Sequence, residues 1–137
     1  MNFVYIVPID YAKLASGEQI SNYRYTLDDE LVSRYVKAVS DKSELYSQES
    51  LVPPMSIAAL SLRGVVVDLD IPGGTVHVGQ ELEFMEAVLV GDRLDCIATL
   101  LQNAIRKGWR FMVVKLEVNN REKRRVMEGK STILIPV

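Results

Sequence analysis

The spacing of apolar positions changes period partway along this chain. Met1–Val7 is a short apolar run closed by Pro8, and Ile20–Thr26 alternates with Tyr23 and Tyr25 on one face, so both predict strands. Leu31, Tyr35 and Val39, widened by Val32 and Val36, recur at helical spacing and predict a helix ending near Ser40 and Asp41. Thr26 is placed to cap it, with Asp29 returning the second bond of a capping box, while Asp28 and Glu30 favour the positive helix end. The polar stretch Asp41–Ser50 has no apolar period and predicts a loop or irregular turn. Pro53-Pro54 then opens a second helix, Met55–Leu62, which is apolar nearly all round and is expected to be buried and to stop at Gly64.

Beyond the turn Pro72-Gly73-Gly74 the period becomes two. In Thr75–Phe84 strict alternation puts Val76, Val78, Gln80, Leu82 and Phe84 on one face, and His77, Gly79, Glu81 and Glu83 on the other. Gly91-Asp92 marks a turn, and Leu94–Ile105, Trp109–Val118 and Val126–Val137 predict three further long strands. Lys107-Gly108 joins the first two, and the charged run Asn119–Arg125 joins the last two. Long antiparallel strands after a buried helix imply an α+β architecture in which the sheet curls around that helix.

Composition narrows the chemistry. A chain of 137 residues, 48% of them hydrophobic and 25% charged, suits one domain over residues 1–137. Its net charge of −2 offers polyanions no general attraction, so nucleic acid is not expected as a partner. The single cysteine, Cys96, cannot form an internal disulfide, and no Cys/His spacing suggests a metal site. The amino-terminal segment has no basic leader and no stretch is long enough to span a bilayer, so no membrane partner and a cytoplasmic location are expected.

The segment Gly79-Gln80-Glu81-Leu82-Glu83-Phe84, followed by Val88–Val90 and Gly91-Asp92, resembles the G-Q-x-L-x-F strand and V-x-V-G-D turn of the MaoC-like branch of the hot-dog fold. That branch holds (R)-specific enoyl-thioester hydratases and 3-hydroxyacyl-thioester dehydratases. Ala58–Leu62 is similar to the family's central helix, and Leu31–Val39 to the helix leading into its active-site loop. The resemblance implies a single hot-dog domain, a curved antiparallel sheet wrapped around a buried central helix. It further implies an acyl-thioester ligand whose coenzyme A or carrier-protein arm is part of the substrate, with no separate cofactor. A homodimer, a dimer of dimers, or a heteromer with a related hot-dog subunit is implied as the assembly.

In that family catalysis rests on a D-x-N-P-x-H loop and on a glycine N–H at the head of the central helix. The carboxylate and imidazole activate the water that adds at the β-carbon, and the N–H stabilises charge on the thioester carbonyl. By resemblance, Asp41 matches the Asp, while Ser43 and Glu44 stand where Asn and Pro are expected and Tyr46 stands where His is expected. A tyrosine, with a reference pKa about 10 against about 6.5 for histidine, donates a hydrogen bond but is a poor proton shuttle at neutral pH. Pro54 takes the glycine position and has no N–H, so Met55 or Ser56 is expected to supply a substitute donor to the substrate. These departures resemble the degenerate halves and subunits of the family, which keep the acyl tunnel and leave chemistry to a partner. A self-sufficient hydratase using Asp41, assisted by Tyr46, is the alternative reading. A hot-dog thioesterase, for which Asp68 and Asp70 are the candidate carboxylates, is a second.

The remaining candidates have structural readings. His77, the only histidine, falls on a strand where the family places no catalytic group, and with Glu81 and Glu83 reads as a solvated face. Asp92 reads as a turn residue and Cys96 as a small core or interface residue. Arg121, Lys123, Arg124 and Arg125 read as a solvated hairpin, or as cations that meet the phosphates of a thioester arm.

Overall fold

Period-two patterning in the second half of the chain becomes one antiparallel sheet, and the alternating segment from the first half joins its edge. The computed structural model describes residues 8–137, so the strand expected over Met1–Val7 lies outside the described residues. Strands β1 (Gln19–Thr26), β2 (Val76–Phe84), β3 (Arg93–Arg106), β4 (Trp109–Asn119) and β5 (Arg125–Pro136) pair in the order β1-β3-β4-β5-β2. Helices α1 (Asp29–Ala38), α2 (Leu45–Gln48) and α3 (Pro54–Asp68) lie between β1 and β2 in sequence. Among the described residues no helix is long and apolar enough to cross a membrane.

The pleat sends alternate residues to one face, and that face is the core. Leu94, Cys96, Ala98 and Leu100 of β3, Met112, Val114, Leu116 and Val118 of β4, and Met127 of β5 are almost wholly buried. Against them α3 sets Ser56, Ile57, Ala58, Ser61, Gly64 and Val65. Register shifts in β1, β2, β3 and β5 bend the strands, and the sheet curves around α3. On the opposite face Glu117 meets Lys115 at 3.0 Å and Arg125 at 2.6 Å, and Arg125 also pairs with Glu128. The Lys115 hydrogen bond, with the charge of Arg125 behind it, holds the Glu117 carboxyl below its ordinary range.

Several expectations need correction. The first helix is capped by Asp28, whose Oδ1 accepts the Leu31 N–H at 2.8 Å, because Thr26 is still paired with Arg93 in the sheet. The polar stretch after Asp41 holds one helical turn, α2, closed by Gln48 N–H to Glu44 O at 2.9 Å. The second helix passes Gly64 and runs to Asp68. Gly64 is not a terminator but a contact: a Cβ there would sit 2.7 Å from the Tyr23 side chain of β1. The helix ends where Asp70 turns left-handed, with the Tyr11 hydroxyl donating to the Leu69 carbonyl at 2.7 Å. Nor is α3 enclosed all round, since Val66 and Val67 on its outer side are 49% and 68% exposed. A sheet covers only one side of a helix.

Contacts between β1 and α3 fix the helix over the sheet. The Tyr25 hydroxyl reaches Ser61 Oγ at 2.9 Å, and Ser21 Oγ donates to Asp68 Oδ2 at 2.6 Å. Gly64→Ala should therefore destabilise the fold. Alanine gains about 1 kcal/mol of helix propensity, but forcing β1 off the helix costs about 1–3 kcal/mol of overpacking. Urea unfolding should show a lower midpoint, and Tyr23→Ala in the same chain should relieve part of the loss. A higher midpoint for Gly64→Ala alone would contradict this packing.

Candidate functional site

Asp41 owes its position to the way α1 ends. Ser40 turns left-handed (φ 55°), its N–H bonding Lys37 O at 3.2 Å, and the Asp41 N–H bonds Val36 O at 3.0 Å. This double bond is the Schellman stop, with serine where glycine is usual. The Asp41 carboxylate then accepts the Ser43 N–H at 3.0 Å, which shapes the loop beyond. Both structural and chemical readings of Asp41 thus meet in one residue: it closes the helix and its side chain lines a cleft of about 470 Å³. Ser33, Val36, Tyr46, Ser50 and Val90 line the same cleft.

Tyr46, on α2, stands beside Asp41. Burial raises its phenol pKa above the ordinary value, and the negative charge of Asp41 acts in the same direction. The phenol therefore stays protonated and serves as an O–H donor, while the carboxylate serves as acceptor. Tyr46 also lines a second, more apolar pocket of about 220 Å³, with Leu51, Val52, Pro54, Ile57 and Phe84 among its walls. One side chain thus separates a polar cleft from an apolar one.

The walls come from segments distant in sequence. Val90 N–H bonds Ser50 O and Val52 N–H bonds Val88 O, both at 2.8 Å, so the run before α3 is strapped to the run after β2. Sequence reading assigned Val88–Val90 only to a motif and missed this role. The alternating apolar positions Leu51 and Val88–Val90 were the available signal, but pairing of short segments so far apart leaves no local mark.

The head of α3 has few free donors. Pro53 is the cap residue and Pro54 the first helical residue, and neither carries an N–H. Ser56, 1% exposed, has its N–H bonded to Pro53 O at 3.0 Å and its hydroxyl to the same carbonyl at 2.6 Å. Met55 sits in the first turn, where the amide has no preceding helical carbonyl to bond, and its side chain is half exposed. Pro54 and Ile57 line the apolar pocket; Met55 and Ser56 line neither it nor the Asp41 cleft.

His77 lies elsewhere, and its face is not the one strict alternation gives. Val76, His77 and Gly79 pair with Leu134, Ile133 and Thr132, so Val78 is an extra residue, a bulge. The bulge flips the parity and sets His77 on the same face as Gln80 and Leu82, away from Glu81 and Glu83. It lines an apolar cavity of about 280 Å³ with Val65 and Val66, near the far end of α3. From Ile57 to Val66 the helix rises about 13 Å at ~1.5 Å per residue, so within one chain His77 does not join Asp41 and Tyr46. Among the described residues no group of His, Cys, Asp or Glu is arranged to hold a metal ion.

The other candidates are occupied. Asp68 accepts from Ser21, and Asp70 is an exposed residue of the helix stop. Asp92 Oδ2 accepts the Leu89 N–H at 3.0 Å, a turn bond. Cys96 is 2% exposed, and burial pushes its thiol up to about 11, which suits packing rather than nucleophilic chemistry.

Comparison with known proteins adds the lineage. The model of the FAS1-like dehydratase domain region matches residues 15–129. Among curated proteins none matches the chain. Solved structures do. The unliganded R-hydratase PhaJ1 from Pseudomonas aeruginosa superposes with TM-score 0.79 at 22% identity, over 94% of this chain and 86% of that one. A structure described as a monoamine oxidase regulatory protein from Archaeoglobus gives TM-score 0.80 at 16% identity, over 94% and 95%. The HadBC 3R-hydroxyacyl-ACP dehydratase complex from Mycobacterium tuberculosis gives TM-score 0.72 at 20% identity, over 93% and 99%. At these identities the likeness speaks for the fold, a single α+β hot-dog domain. With the family model spanning most of its length, the chain belongs to the FAS1-like dehydratase-region family, on the MaoC-like hot-dog fold.

Proposed function

We propose that the chain binds acyl thioesters, with the acyl group in the pocket under Tyr46 and the thioester end at the Asp41 cleft. In this reading it is a non-catalytic or partner-dependent subunit of a 3-hydroxyacyl-thioester dehydratase or enoyl hydratase. The observation that carries the reading is Tyr46. A phenol whose pKa is raised faces Asp41 where a proton shuttle is needed, and the helix head beside it begins with two prolines. Asp41 and Tyr46 would hold the water or hydroxyl group, while the head of α3 would offer the thioester carbonyl no donor, Pro54 having no N–H, Ser56 N–H being occupied and Met55 lining neither pocket. The arm of coenzyme A or of a carrier protein belongs to the substrate, and no other cofactor is required. The test is hydration of an enoyl thioester by the purified protein, alone and after co-expression with a related hot-dog chain. Turnover only in the co-expressed sample supports the proposal; equal turnover in both overturns it.

The surface supports a partner. β2 is an edge strand on which Val76 and Val78 are 45% and 50% exposed, and Val66 and Val67 of α3 are exposed as well. An apolar sheet edge and a bare helix side suit a second hot-dog chain, identical or related. Two such chains of 15.4 kDa should elute together in light scattering at micromolar concentration. Val78→Lys should shift the population to monomer, whereas a wild-type monomer would speak against the assembly.

A further inference from the structure

The segment that carries Tyr46 is tied to the fold at its two ends. Before it, the Asp41 N–H bonds Val36 O; after it, Ser50 O accepts the Val90 N–H and the Val52 N–H bonds Val88 O. Between these ties, among the described residues, 42–49 hydrogen-bond only to one another and to Asp41. No ion pair among the described residues includes Lys42, Glu44 or Glu49. Every residue of 42–49 is exposed except Tyr46, which is half-buried between the two pockets. One aromatic ring thus holds the segment down.

Both ends of the segment turn sharply. Ser40 at φ 55° and Ser50 at φ 53° are left-handed, a conformation that costs any residue with a Cβ. Beneath Tyr46 the floor of the apolar pocket is closed. Val52, Ile57 and Val88 line it, yet each is 4% exposed or less, so a ligand packed on them needs the cover lifted. The strapped runs around Leu51 and Val88, with α3 and β2, supply the other walls and are bonded into the fold. Leu45 and Tyr46 alone ride on the loosely tied segment.

We infer that residues 42–49 form a flap, hinged at Ser40 and Ser50 and latched by the Tyr46 ring, which opens to admit a ligand to the apolar pocket. The flap stands on the bonds and burial of the segment; the ligand, an acyl thioester, rests on the proposed function. Lifting the flap breaks no hydrogen bond to a neighbouring element among the described residues, so opening belongs to the microsecond-to-millisecond range of lid motions.

Two measurements read the opening together. Nitrogen relaxation dispersion should give residues 42–49 one common exchange rate and leave Asp41, Val52 and Val90, whose N–H groups are bonded to the fold, without exchange. Val52→Cys puts a thiol on the pocket floor, and an aryl disulfide reagent should label it much faster than the buried Cys96 of the same chain. With Tyr46→Ala added, the open population and the labelling rate should both rise about 10-fold, as the loss of one partly buried ring implies. Tyr46→Phe keeps the ring and should leave both as in the parent. An enoyl thioester of coenzyme A should suppress labelling. If the flap opens as described and the thioester gives no protection, the flap stands and the thioester reading falls. Labelling that rises in Tyr46→Ala without a rise in the open population makes Tyr46 a static cover and overturns the inference. So does dispersion absent from 42–49, or labelling of Val52→Cys no faster than that of Cys96.

Discussion

Purified alone, the protein should hydrate a short enoyl thioester at least two orders of magnitude more slowly than its variant Tyr46→His with Pro54→Gly. The expectation comes from what each side chain can do. Losing one oxyanion donor typically costs about 2.7–4 kcal/mol of transition-state stabilisation, and losing positioned acid–base help costs roughly 10²–10⁴ in rate. The two losses act on one transition state and should not be added as independent. Either alone leaves weak activity. Tyr46 fails as a shuttle because burial and the neighbouring carboxylate raise its pKa away from neutrality. Pro54 fails as a donor because proline has no N–H, and the amide after Met55 is already bonded to Pro53. A steady-state assay of parent and double variant measures the difference; equal rates would mean that Tyr46 and Pro54 are not the positions that limit the chemistry.

The second large effect concerns Asp41 in that gain-of-function background. Adding Asp41→Asn to Tyr46→His with Pro54→Gly should remove most of the created activity, about 10²–10⁴-fold, because the acceptor that orients water and imidazole is gone. Stability should change little by comparison. The backbone bonds that stop α1 use the Asp41 N–H, not its carboxylate, and the substitution keeps a side-chain oxygen for the Ser43 N–H. Activity and urea midpoint measured together separate the two roles. A large drop in midpoint with activity retained would make Asp41 a structural residue only.

What was legible in the chain, and what was not, follows from the range of the interactions involved. Strands β3, β4 and β5 and the existence of α1 and α3 are written in local periodicity, because core-facing residues repeat every second or roughly every fourth position. Asp41 and Tyr46 came from resemblance, and the fold brings them together on one cleft. Where the reading failed, a tertiary contact had displaced a local rule. Gly64 looks like a helix stop, yet it is needed because Tyr23 of another element presses on it. His77 is exposed as expected, yet alternation puts it with Glu81 and Glu83, and the bulged pairing with Thr132 and Ile133 of β5 turns it to the face of Gln80 and Leu82. Thr26 looks like a cap, yet the sheet claims it first and Asp28 takes the task. None of the three competing partners lies within the local window that signals these features. The strap from Ser50 and Val52 to Val88 and Val90 is of the same kind.

We propose that this chain holds an acyl thioester without turning it over by itself. The most direct test is a titration of the isolated protein with an enoyl thioester in which binding heat and substrate composition are followed in one sample. Saturable binding is expected, weakened by Tyr46→Ala, with the thioester recovered unchanged. Robust hydration that vanishes in Asp41→Asn and survives His77→Ala would contradict it and make the chain a self-sufficient hydratase.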